Sequence, residues 1–528
     1  MLTDIAFRFL LVSLKIQEDL EWITKIGGIP MFSRTTNDLD LSGAYYGTLK
    51  RIMAQGEEKA KLGVAALMWI AHSERPLHVD EICHAVAIRV GSKDLSNGIP
   101  GISTLQRYCL GLIAIDKDTS TVMLSHPTLE WYPRAHPDLF DRAHPTMAEI
   151  CLTYLNFQRI NDLPASPPPD PRGTPFLEYS SLYWGTHMKM EVSNISKTLA
   201  LQLLDRFDDH TSARSLWNSI SRELTNSPTP DLKPFSALHC ISYFGIAEVA
   251  NTLIEMKRWD VNQRDSAGMT PLIWASRYGH EEVVGLLLRQ KHIQPDQQDT
   301  NYGRTALSWA AENGHEGVVR LFLGPGLANP GSTGRRREKA RRVVGQLIGR
   351  TYFNPGSSSG SGLTPLSGAA ENGREGVVKP LLGREGVDFD ARDTEFGRTP
   401  LSWAAGNGHK TVVQLLLEQG YANPDSSSKS GRTPLLWAAM NGHEGVVELL
   451  SKRDDVQPDT PDTAFGQTPL AWAAMNGHER VVRLLLDRRR VDPNRLSKSG
   501  QTPLTLAAEN GHDGVVDMLR ASQSRRIW

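Results

Sequence analysis

The triplet Thr-Pro-Leu, or a near relative of it, opens at Ser236, Thr270, Thr305, Thr364, Thr399, Thr433, Thr468 and Thr502, at intervals of 34, 35, 59, 35, 34, 35 and 34 residues. A unit of this size cannot bury both faces of its own helices, so a period this regular dictates a stack of neighbours, a solenoid. Each triplet opens the same phrase, as in TPLLWAAMNGHEGVVELL from Thr433 and TPLAWAAMNGHERVVRLLL from Thr468. The Thr N-caps a helix, Pro takes the first helical position where its missing N–H costs nothing, and Leu with the Ala pair forms a slim apolar face. Gly279, Gly314, Gly373, Gly408, Gly442, Gly477 and Gly511 end this inner helix with a residue that tolerates positive φ. A Val/Leu-rich outer helix then restarts, as from His443 to Leu450.

Helix, turn and helix, recurring eight times over Pro234 to Leu519, resembles an ankyrin array. The intervals exceed the roughly 33 residues of most such arrays, and the extra residues fall in the loops before the Thr, such as TNYGR before Thr305 and TAFGQ before Thr468. The resemblance implies recognition of protein partners by the finger tips and by the inner-helix positions just before the Gly. Here those positions are Arg277, Tyr278, Glu312, Asn313, Glu371, Asn372, Asn407, Met440, Asn441, Met475, Asn476, Glu509 and Asn510. The recurring Asn points either to a turn-stabilising role or to a repetitive partner.

The interval of 59 leaves room for only part of a unit between Thr305 and Thr364. Val343 and Val344 keep the register of an outer helix, whereas GSTGRRREKAR (Gly331 to Arg341) lacks the apolar face of an inner one. The expectation is a truncated repeat over 330–363 that weakens the joint between a first stack, 234–329, and a second, 364–522. Trp274, Trp309, Trp403, Trp437 and Trp472 share one position in the unit, where Cys240, Gly368 and Leu506 stand elsewhere. Such a ladder serves inter-repeat packing or partner contact. Leu at the last rung favours packing.

Ahead of the repeats, residues 57–135 read as three helices and a hairpin. EEKAKLGVAALMWIAH, VDEICHAVAI (entered through Pro76) and ISTLQRYCLGL carry helical apolar spacing, and GLIAID and TVMLSH flank the polar KDTS. With MWIAHSERPLHVDEI, LSHPTLEWY, HPTMAEICLTYLNF and PFLEYSSLYWGTHM, this stretch resembles the GPI inositol-deacylase type of winged helix found in fungal NLR-like receptors of the NACHT or STAND kind. Residues 1–56 then correspond to a helical remnant of such a receptor, and 136–233 to a helical connector with a proline-rich loop at 163–175 (LPASPPPDPRGTP). Those receptors bind ATP or ADP through GxxxxGK[ST]. This chain has no Gly-Lys dipeptide, so the resemblance covers the sensor half without the motor, and an ATPase domain upstream of a truncated gene model is the alternative.

Other chemistry reads as absent. The 58 basic and 59 acidic side chains nearly cancel, removing a general pull toward nucleic acid or anionic membrane. The third winged-helix segment offers DNA only Arg107. Cys83, Cys109, Cys151 and Cys240 lie far apart without metal-ligand spacing, which fits a reduced compartment. Gly-His-Glu recurs at Gly279, Gly314, Gly442 and Gly477 without the second His of HExxH. Gly356 to Gly360 matches GxSxG formally but lies in a repeat loop. His126, at the hairpin's end, reads as structural. No metal, cofactor or catalytic residue is expected. The expected product is a mainly α protein, a winged-helix module with a small β-hairpin followed by an ankyrin-repeat solenoid, acting as a cytoplasmic scaffold for protein partners, with no nucleic acid and no membrane. RRREKARR (Arg335 to Arg342) is a candidate nuclear import signal.

Overall fold

A computed structural model describes residues 38–95, 98–125, 140, 142–163, 173–207, 210–225, 235–324, 354, 356–384, 386–418, 420 and 422–525. The chain divides into two compact units, 1–237 and 238–528. Residues 1–37, most of the proline-rich loop, His126, the RRREKARR run, and Val343 with Val344 lie outside the described residues.

In the first unit, helix Glu57–His72 opens on Glu57 and Glu58, whose charges suit the helix dipole. It buries Ala66, Leu67, Met68 and Trp69. Helix Val79–Ala87 starts at a reciprocal cap: His78 Nδ1 accepts from the Asp80 N–H, while Glu81 accepts from the His78 N–H at 2.8 Å. Arg75 locks Glu81 with two bonds of 2.6 and 2.8 Å. Helix Ile102–Tyr108 completes the trio. The hairpin, β2 (Ile113–Ile115) with β3 (Thr121–Leu124), has a third strand the periodicity did not show, β1 (Leu77–His78), in antiparallel order β1-β3-β2. Two residues are too few to carry a period of two. Pro76 holds the chain extended before them, and Leu77 pairs with Val122. Helices Ala143–Leu155, Leu177–Met190, Asn194–Leu204 and Thr211–Thr225 follow. Nearly every residue of the first of these is buried.

The second unit repeats one geometry. Inner helices such as Pro400–Gly406, Pro434–Met440 and Pro469–Met475 alternate with outer helices Lys410–Glu418, Glu444–Ser451 and Glu479–Leu486. Each Thr cap accepts from the N–H three residues on, at 3.3 Å for Ser402, 3.2 Å for Leu436 and 3.2 Å for Ala471. Leu435, Ala438, Ala439, Val446, Val447 and Leu450 are almost wholly buried between neighbours. Truncating a leucine there costs about 2–5 kcal/mol.

Across the long interval the described flanking repeats meet directly. Helices Ala306–Asn313 and Pro365–Glu371 belong to repeats that stack directly on each other. The Gly360 N–H donates to the Tyr302 carbonyl at 2.9 Å. Gln298 Nε2 donates to Ser358 O at 2.9 Å, and Arg374 Nε to Glu312 O at 3.2 Å. Inserted residues cost such a stack only a slowly growing loop-closure entropy, about 0.6 kcal/mol per doubling of length.

Candidate functional site

The fingers before each Thr come in two alternating kinds. Asp299, Asp393 and Asp462 open six-residue fingers that end at Thr305, Thr399 and Thr468, and Ser359, Ser428 and Ser497 open five-residue ones. The Asp is buried and does two jobs. Asp393 Oδ1 accepts from the Phe396 N–H at 2.5 Å and Oδ2 from the Arg398 N–H at 2.8 Å, shaping the loop. Its Oδ2 also accepts from Trp403 Nε1 at 3.2 Å. Asp299 and Trp309 pair likewise at 3.0 Å, Asp462 and Trp472 at 2.9 Å, and Asp265 in a shorter finger holds Trp274 at 2.8 Å. Where Ser428 replaces the Asp, Trp437 Nε1 has no acceptor among the described residues. Each long finger ends in an exposed aromatic, Tyr302, Phe396 or Phe465, set edge-on to its own Trp.

Arginines complete a ladder along the inner helices. The Arg398 guanidinium lies 4.4 Å from the Trp403 ring and 3.6 Å from Trp437, between the two. Arg432 lies 4.9 Å from Trp437 and 4.8 Å from Trp472. Arg277 and Arg304 approach Trp309 at 4.1 and 4.7 Å. Each is a cation–π contact of about 0.5–2 kcal/mol. Burial pulls Arg398 below the usual guanidinium range, while Asp393 opposes that shift. Trp274, Trp309 and Trp437 are buried, and Trp403 and Trp472 are half-buried.

In the repeat that opens at Thr364 the ladder lacks both of its rungs, as it also does at Gln501 and Leu506 in the last repeat. Gly368 stands where an indole would be and Leu363 where an arginine would be. A notch of about 280 Å³ occupies the place, lined among others by Arg304, Glu312, Leu363, Glu371, Asp393, Glu395, Phe396 and Trp403. Arg304 is already paired with Glu312 at 2.8 Å. Burial raises the Glu371 carboxyl above its usual range, with Glu312 adding to the rise, and burial raises Glu312 as well, against the pull of Arg304. The notch therefore holds more carboxylate than cation.

The inner-helix ends foreseen as partner contacts fall into two groups. Asn407, Asn441 and Asn476 spend their amides on the preceding repeat, donating to Glu371 O at 2.9 Å, Gly406 O at 2.7 Å and Met440 O at 2.8 Å. Asn313, Asn372 and Asn510 donate within their own helices to Trp309 O, Gly368 O and Leu506 O. Arg277 and Glu312 join the ladder and notch, and Tyr278 stacks on Trp274 at 6.1 Å. Met440 and Met475 are half-buried, whereas Glu509 is exposed and accepts from Gln501. The Gly-His-Glu histidines also serve the stack: Nε2–H of His315, His443 and His478 donates to Arg277 O, Gly406 O and Met440 O. The GxSxG match is a finger hairpin, closed by the Ser359 N–H on Leu363 O at 2.9 Å. Sequence reasoning missed the Asp–Trp pairs, the arginine rungs and the notch. The signal was present in the thrice-repeated Asp-Thr-x-(Tyr/Phe)-Gly-(Arg/Gln)-Thr.

The first unit holds a histidine cluster, also unforeseen. His187, fully buried, shares a 2.9 Å hydrogen bond between its Nδ1 and His144 Nδ1, and its Nε2 meets the Tyr179 hydroxyl at 2.9 Å. Glu74, His144 and His187 are the group of three metal-capable donors found among the described residues, within 4.8 Å of one another. The Nδ1–Nδ1 separation suits a hydrogen bond in which one ring donates to the other, tying the pair into a core polar network with Tyr179. Burial, then His144 and His72, depress His187 to about 3, and burial depresses His210 to about 4 against the opposing Leu155 carbonyl.

The unfolded chain protonates these rings near pH 6.5 while the fold keeps them neutral. Their contribution is thus complete above pH 6.5 and falls with pH by about 1.4 kcal/mol per unit per histidine until the folded pKa is reached. Urea midpoints from probes in the first unit are expected to drop between pH 6.5 and pH 4. His210→Gln should remove about one proton's share of that slope, and an unchanged slope would contradict this assignment. Arg107 lies over its neighbour Tyr108, 5.3 Å from the ring. The four cysteines are free and buried, with burial pushing Cys83 up to about 11 and Cys109 up to about 12. No described helix is long and apolar enough to cross a membrane.

Comparison with known families agrees with this geometry. A family described as ankyrin repeats (3 copies) matches residues 216–299, 238–333, 366–462 and 455–526, together more than half of the chain. A family described as GPI inositol-deacylase, winged helix domain matches residues 50–134. A search of curated proteins finds no match.

Proposed function

Because the chain belongs to the ankyrin-repeat family, we propose that it is a scaffold or sensor module that binds protein partners along the inner-helix face and finger tips of its repeats. One observation carries this reading. Tyr302, Phe396 and Phe465 stand 42%, 43% and 53% exposed at the tips of alternate fingers, each anchored on a Trp that a buried Asp holds. Rigid exposed aromatics on a preorganised frame are what binding hot spots are made of, worth about 2–4 kcal/mol each. The reading is of binding and not of catalysis. Peptides selected against the full chain from a random library are expected to protect the fingers and inner-helix ends of residues 299–476 from hydrogen exchange. Phe396→Ala with Phe465→Ala should weaken them by about tenfold or more. Protection confined to residues 38–225, or affinity indifferent to both substitutions, would refute it.

The order of a GPI inositol-deacylase-type winged helix followed by ankyrin repeats favours a more specific reading, a sensor arm of an NLR-like signal-transduction ATPase. Its test is whether the native polypeptide carries a nucleotide-binding domain joined to this chain. A native product of 528 residues that binds no nucleotide would leave the scaffold reading alone.

A further inference from the structure

We propose that the notch at Gly368 and Leu363 receives an arginine side chain supplied by a partner protein. This rests on the protein-binding reading above and names what one part of that face recognises. The molecule itself supplies the template. Arg398 lies between Trp403 and Trp437, and Arg432 between Trp437 and Trp472. Both come from the position just before the capping Thr. In the repeat that opens at Thr364 this position is Leu363, so Trp403 lacks the guanidinium that the preceding repeat provides to Trp437 and Trp472. Gly368, at the indole position of this repeat, carries no side chain to fill the space beside Glu312, and an added Cβ there would make only ordinary contact with Glu312 at 3.6 Å.

Charge selects the occupant. Glu371 and Glu395 line the notch, while Arg304 and Glu312 there are paired with each other and both Asp393 oxygens are taken by its finger and Trp403. Glu371 forms no ion pair within 4.0 Å among the described residues, and burial disfavours its charged form. An incoming cation would relieve that penalty. A planar guanidinium suits the place better than an ammonium, because it stacks on an indole face while its edge N–H groups meet carboxylates.

The test uses the full chain labelled with 5-fluorotryptophan, its Trp403 resonance assigned by Trp403→Phe. The probes are N-acetyl-arginine amide, N-acetyl-lysine amide and N-acetyl-citrulline amide. The Trp403 resonance is expected to shift saturably with the arginine probe, more weakly with lysine, and not with citrulline, which keeps the shape and loses the charge. Leu363→Arg, which fills the vacant rung from within, should abolish the response, and Glu371→Gln should weaken it by about tenfold. Equal response to citrulline, or a response that survives both substitutions, overturns the proposal. The library-selected peptides separate the two readings. If they bind at the finger tips without depending on an arginine and unaffected by Leu363→Arg, the notch assignment fails and the protein-binding reading stands.

Discussion

Asp462→Ala is expected to lower the stability of the repeat unit by about 3–5 kcal/mol, far more than its short side chain suggests. Asp462 is 2% exposed and accepts from the Phe465 N–H at 2.7 Å, the Gln467 N–H at 3.3 Å and Trp472 Nε1 at 2.9 Å, with Arg432 3.6 Å away. Alanine would leave the buried Gln467 N–H and the part-buried Phe465 N–H and Trp472 Nε1 without this acceptor, each at a cost of up to about 1–3 kcal/mol. Asp462→Asn should fall between the two, because one of its two side-chain atoms becomes a donor facing a donor. In a solenoid each unit touches only its neighbours, so the loss should concentrate near the damaged finger. Hydrogen exchange across residues 433–509 should rise most there, together with a lower denaturant midpoint. A change under about 0.5 kcal/mol, the range of ordinary surface substitutions, would mean that the Asp–Trp frame is not structural.

Gly408→Ala is expected to cost about 2–4 kcal/mol, from two sources that add. Gly408 has φ +78°, a left-handed conformation that L-residues adopt at a penalty of about 1–2 kcal/mol. A methyl group there would also lie 2.6 Å from His443 Nδ1, closer than packed atoms approach. The ring would have to move, losing its 2.8 Å bond from Nε2 to Gly406 O. The same arrangement recurs with Gly442 against His478. A double-mutant cycle separates the terms: in a His443→Ala background Gly408→Ala should keep only the backbone penalty, giving a coupling of about 1–2 kcal/mol. Additive losses would show that the ring is no part of why glycine is needed.

The repeating phrase made these helices legible because its information is local. Thr433, Pro434 and Gly442 each act on backbone within a few residues, so cap, first turn and stop could be read without knowing any neighbour. The winged-helix segments were legible for the same reason, except β1, whose pairing with β3 depends on residues more than forty positions away. The role of the recurring Asn and His was harder to see. His443 and Asn441 act on the carbonyl of Gly406, a partner one repeat earlier, and nothing in the phrase itself distinguishes that from a surface role.

By itself the sequence determined the period, the helical unit and the family, because propensities, caps and apolar spacing are properties of short stretches of chain. Only the tertiary structure decided how the units meet. It stacked the repeats of Thr305 and Thr364 directly across the long interval, aligned Arg398 and Arg432 between consecutive indoles, and turned Leu363 and Gly368 into a notch. These are contacts between residues 30 to 60 positions apart. Their geometry follows from the rise and rotation of one unit upon the next, which no single repeat encodes.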